Sequence, residues 1–235
     1  MAAGFAREAV TAYLFGTSPE ADAFALILYY ADALSALVLA GLGSYVLVPV
    51  VTRLRARDDP KAAFHLLGTL LLWTCLIAVP LLGLGLWQRD AVVRLIAPEF
   101  TASQRLPLLE LIRNALPASL LILVSGAIFG VLQGFGTYAP SAFGRVVFSL
   151  AIAMALLLAA PTLGIRAGGS GLLAGAGLQC CLAGLALYRV GWRPRMPRWW
   201  HPELVRALNL ALPTLIALVL TNLVMGGVQR LVASG

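Results

Sequence analysis

Five charged side chains stand inside or at the rims of long apolar stretches: Arg7, Asp22, Asp32, Glu110 and Arg113. A charge at the centre of a bilayer costs about 2.5–3.5 kcal/mol on insertion scales, so such residues usually turn toward a bundle interior or water. There Arg113 can offer a cation to a phosphate oxygen, and Asp32 can take up a coupled proton or sodium ion. Each residue also has a plainer reading. Arg7 can be neutralised by Glu8 or snorkel to the interface, and Asp22 suits the positive end of a helix dipole. Glu110 and Arg113, spaced i,i+3, can pair on one helix face.

Other chemistry is thinly supplied. His65 and His201 lie far apart, with no Ser–His–Asp or metal-ligand spacing around them. Cys75, Cys180 and Cys181 sit in apolar segments as packing residues, and adjacent positions such as Cys180 and Cys181 point about 100° apart on a helix. The Gly168–Gly171 segment lacks the lysine and strand of a phosphate loop. Neither an enzyme nor a resident metal or cofactor is expected.

The elements that must position these charges follow from where charge is missing. It is absent between Ala33 and Thr52, Ala62 and Gln88, Asn114 and Gly144, Val146 and Ile165, Ala167 and Tyr188, and Ala207 and Gln229. About 20 apolar residues span the hydrocarbon core as a helix, which satisfies its own backbone. Charged residues make up 11% of the chain, too few for the polar faces of a water-soluble bundle. The fold class is therefore all-α: a polytopic transmembrane bundle of about seven helices.

The first helix, Ala2–Phe15, is short for a span, and Arg7 and Glu8 occupy the place of a signal peptide's apolar core. Ser18 is the expected N-cap of a second helix over Pro19–Leu54, which contains Asp32, a Gly41–Ser44 patch and Pro49, all inviting bending or close contact. The third helix, Pro60–Gln88, contains Pro80, and Ala91–Pro98 reads as an amphipathic segment on the outer interface. Helices four (Leu106–Phe135), five (Ala139–Ala160) and six (Gly168–Val190) follow, the last two rich in Gly and Ala. A seventh covers Pro202–Val232. The expected division is a six-helix lobe over 1–192, a basic linker over 193–200 and the seventh helix over 201–235.

A net charge of +7 could suggest nucleic acid in a soluble chain; here it marks topology. Arg53, Arg55, Arg57 and Lys61 share one loop, Arg189, Arg193, Arg195 and Arg198 another, and Arg145 a third. The opposite loops hold only Arg89, Arg94, Arg105 and Arg166. The positive-inside rule places the first set, and the amino terminus, in the cytoplasm. Arg230, near the outer end of the seventh helix, is read as snorkelling.

Several short motifs occur in a telling order. Gly4–Ala9, Phe15–Thr17, Ala21–Phe24 and Val48–Pro49 resemble the opening of the MurJ (MviN) lipid II flippases of the MOP exporter superfamily. Ala97–Phe100, Gly130–Gln133 and Leu231–Gly235 are similar to later segments of the same family. The resemblance covers the whole chain as the family's amino-terminal half. It implies one lobe of an inner-membrane transporter whose two lobes surround a cationic cavity. The implied partners are a lipid-linked pyrophosphate, membrane lipid, and a second lobe or another copy of the chain.

By the same resemblance, Arg7 matches a functional arginine of the first helix and Asp22 a functional aspartate at the start of the second. The family's mid-helix arginine is here Ser35, beside Ala36, and a further arginine would lie upstream of Gly4. The implied function is flipping of undecaprenyl-linked peptidoglycan precursor, as a fragment or half-transporter. The alternatives are export of another lipid-linked oligosaccharide, MATE-like cation antiport, or a non-transporting scaffold or remnant.

Overall fold

The structure is a computed structural model that describes residues 2–38, 43, 46–57 and 60–193. The linker beyond Arg193, the seventh helix, His201 and Arg230 lie outside the described residues. The elements are α1 (Ala2–Phe15), α2 (Pro19–Ala36), α3 (Val48–Ala56), α4 (Pro60–Trp87), α5 (Arg89–Ile96), α6 (Ala102–Gly134), α7 (Ala139–Leu163) and α8 (Arg166–Arg189). The described residues hold no strand, and the fold is all-α.

Helix ends fall where capping chemistry puts them. The Ser18 hydroxyl accepts from the Ala21 amide at 3.2 Å, and Pro19 opens α2 with Glu20 and Asp22 in its first turn. The turn before it closes through Gly16, whose φ of 55° suits a residue without a β-carbon. At α6, Gln104 Oε1 accepts from the Thr101 amide at 3.1 Å, the return half of a capping box.

The expected second helix is divided. Leu37, Val38, Gly43, Val46 and Leu47 are wound as π-helix between α2 and α3. Pro49, in the first turn of α3, has no N–H to give the preceding turn. The wider winding coincides with a close helix contact. A Cβ on Gly130 would stand 2.8 Å from Gly43 Cα, and one on Gly134 would stand 2.6 Å from Val51 Cβ. Gly126, one turn earlier, faces Val38 in the same way. These three glycines, four residues apart on α6, form a groove that admits the α2–α3 ridge.

Helix α6 is the spine, packing against α2, α3, α4, α5 and α8, while α7 lies on α8 and carries α1 on its other flank. Two apolar cores result. One gathers Phe24, Ile27, Leu108, Leu111, Ile152 and Leu172, and the other gathers Val51, Leu66, Leu67, Phe129 and Leu132. Glycines set the approach again. Gly168 abuts the Phe24 ring, Gly144 the Phe129 ring, and Gly171 and Gly175 the backbone and small side chains of α7. Between α6 and α8, the buried Gln179 amide donates to the Ser125 hydroxyl at 3.1 Å.

Among the described residues four helices, Lys61–Trp87, Ala102–Gly134, Ala139–Leu163 and Arg166–Arg189, are long and apolar enough to cross a bilayer. Outside the cores, α4 exposes Leu76, Ile77, Val79, Leu81 and Leu84, and α7 exposes Phe143, Leu150, Met154, Leu157 and Leu158. Water would penalise apolar bands of this extent, and lipid removes the penalty. The chain is a multi-pass membrane protein.

Candidate functional site

Helix α1 holds Arg7 about 12 Å from its last residue, Phe15, eight residues at the helical rise. The residue is 4% exposed, although its helix is short and polar-flanked. Its Nη2 donates to Asp32 Oδ2 at 2.9 Å, whereas Glu8 Oε1 stands 3.7 Å away. The expected neutralisation by the sequence neighbour is thus secondary to an ion pair between α1 and α2. Arg7 Nε is buried without a hydrogen-bond partner among the described residues, so the guanidinium spends only part of its donor fork on Asp32. The Thr11 hydroxyl donates to the Arg7 carbonyl at 2.9 Å, keeping that polar group on the helix itself.

Asp32 lies on the outward face of α2. Asp22, Ala25, Tyr29, Asp32 and Ala36 recur every three or four residues and all are exposed. Phe24, Ile27, Leu28 and Ala31 fill the opposite, buried face. The Asp32 side chain is 54% exposed against 5% for Arg7. One charge of the pair is therefore enclosed by protein and the other is presented outward. Tyr29 and Tyr30 meet edge to face at 5.7 Å, and the Tyr30 hydroxyl approaches the Ile96 carbonyl at 3.5 Å.

The remaining candidates occupy the end of the bundle near Gly16. Asp22 Oδ2 accepts from Gln104 Nε2 at 2.8 Å, tying the start of α2 to the start of α6. Glu110 does not pair with Arg113. It binds Arg166 Nη2 instead, linking α6 to the first residue of α8. The i,i+3 spacing permits the expected pair, but Arg166 approaches from a packed neighbour, and Arg113 is left exposed with no ion pair among the described residues. The Ser35 hydroxyl donates back to the Ala31 carbonyl at 2.9 Å and presents no charge.

Of the five candidate residues, the structure brings Arg7 and Asp32 together and keeps Asp22, Glu110 and Arg113 out of that contact. Sequence reasoning missed Gln104 and the pairing role of Arg166. Neither carries a local signal, because their partners lie 82 and 56 residues away. The described residues contain no cluster of His, Cys, Asp and Glu able to hold a metal ion.

Residues 11–234 match the family model described as lipid II flippase MurJ. The chain belongs to that family. Its members are flippases, transporters rather than enzymes. A solved structure of lipid II flippase MurJ in an inward closed conformation is similar, with a TM-score of 0.77 at 17% sequence identity. The match covers 93% of this chain and 45% of that one, so the MurJ fold seen here spans less than half the length of that flippase.

Proposed function

We propose that this chain forms one lobe of a MurJ-type flippase of the bacterial inner membrane, with the outward face of α2 turned to a second lobe. Its substrate is the undecaprenyl-pyrophosphate-linked peptidoglycan precursor. The observation that carries this reading is Arg7, a guanidinium enclosed in the bundle yet joined to an exposed carboxylate on the lobe's open face. A cation held so deep is costly unless anions meet it, and the resemblance makes the cargo's pyrophosphate the second such anion.

The mechanism is reorientation without a covalent step. The polyprenyl tail stays in lipid while the headgroup crosses between the lobes, which rock about a central site as transporter repeats do. The basic loops at 52–61 and 188–201 and the amino terminus face the cytoplasm in this arrangement. The second lobe is supplied by another chain segment or by another copy.

The test is reconstitution. Proteoliposomes holding the chain together with the second lobe of a full-length relative should move fluorescent lipid II from the inner to the outer leaflet. Equal transfer from vesicles lacking either lobe would overturn the reading.

A further inference from the structure

Arg7 is the one arginine that is buried as a whole residue among the described residues, and it is already occupied. Its closest acceptor is Asp32 Oδ2 at 2.9 Å, and Glu8 adds a second carboxylate at 3.7 Å. Asp32 is not among the residues that the family resemblance singles out. Its carboxylate is the exposed member of the pair, free to swing away from α1, while Arg7 is fixed by burial. Arg7 Nε, buried and unpartnered, is a donor that Asp32 in its present pose does not satisfy. An anion with several oxygens in an array, such as a diphosphate, can meet Nε and Nη2 together, as a fork-shaped donor prefers. One Asp32 oxygen meets only one of them.

We infer that Asp32 is a specificity-determining residue that acts as a resident competitor on Arg7, which the diphosphate of a lipid carrier must displace in order to bind. This inference rests on the proposed flippase reading and deepens it at the same site. Its physical content is an exchange of acceptors. The ligand trades its hydration for the guanidinium, and Asp32, on an open face, regains water. Because every ligand must displace the same carboxylate, the resident anion lowers all their affinities by one common factor, so only an anion whose own contacts, the unmet Nε bond included, outweigh that factor stays bound. It also speeds release, since Asp32 is poised to recapture Arg7 as the headgroup leaves.

The experiment is a double-mutant cycle on the full chain paired with the second lobe of a full-length relative in lipid nanodiscs, with undecaprenyl diphosphate as the probe and inorganic phosphate as the single-centre control. Asp32→Asn should tighten diphosphate binding at least tenfold and raise phosphate binding by the same factor. Asp32→Glu, which keeps the resident anion, should stay within twofold of the unaltered chain. In an Arg7→Ala background, Asp32→Asn should change nothing. Should the amide variant fail to fold, Asp32→Ser carries the same expectation.

Binding that is unchanged or weakened by removal of the carboxylate, in a chain that binds the probe, overturns the competitor role and leaves the flippase reading standing. A tenfold gain for Asp32→Glu has the same meaning. Absence of binding in the unaltered chain together with binding in Asp32→Asn supports the competitor strongly. Absence of binding in both removes the competitor and the diphosphate site with it.

Discussion

Gly130 of α6 lies so close to Gly43 that a β-carbon on the former would stand 2.8 Å from the α-carbon of the latter. Backbone faces backbone there, and no rotamer can relieve the overlap. Gly130→Val should cost about 1–3 kcal/mol by forcing the helices apart, lowering the unfolding temperature in detergent. Gly177→Ala, where nothing lies within 4 Å, should leave it unchanged or slightly raised.

The pairing of Glu110 is testable separately. A cycle combining Glu110→Gln with Arg166→Gln should show coupling in thermal unfolding, because the two side chains bind each other across α6 and α8. The corresponding cycle with Arg113→Gln should be additive. Coupling in the second cycle and not the first would restore the i,i+3 pair.

Much of the fold was legible because charge cannot be placed freely in a membrane. The uncharged stretches locate α4 and α8 to within a few residues and mark only the apolar parts of α6 and α7, and Ser18–Pro19–Glu20 marks the start of α2 by capping chemistry alone. The break between α2 and α3 was legible only as a tendency, in the Gly41–Ser44 patch and Pro49. Whether such a patch bends or winds wide depends on the glycine groove of α6 that receives it. The site divides in the same way. Residue type singles out Arg7 and Asp32, but their partnership spans 25 positions. A helical wheel says which residues share a face, never which helix comes to lie against it.

Topology provides a third prediction. In a background with Cys75, Cys180 and Cys181 replaced, Arg57→Cys and Val190→Cys should resist an impermeant thiol reagent added to intact cells. Leu163→Cys, at the opposite end of α7, should react. The reverse pattern would invert the arrangement drawn from the basic loops.

Arg7 provides the fourth. With a second lobe present, Arg7→Ala should weaken binding of an undecaprenyl diphosphate headgroup by about 1.5–3 kcal/mol, roughly ten- to a hundredfold. Ser35→Arg should strengthen it, replacing a hydroxyl now spent on the Ala31 carbonyl with a cation on the same helix. Titration of lipid ligand in nanodiscs reads both, and equal affinities for all three proteins would remove Arg7 from the site.

The central claim, that this chain is one lobe of a lipid-carrier flippase, is tested most directly by growth of cells depleted of their own lipid II flippase. Co-expression of the chain with the second lobe of a full-length relative should restore growth, and the same pair carrying Arg7→Ala should not. The 235-residue chain expressed alone should fail, because alternating access needs two lobes around the site. Rescue by the chain alone, shown to be monomeric, would contradict the account, as would failure of the unaltered pair when both lobes are inserted and folded.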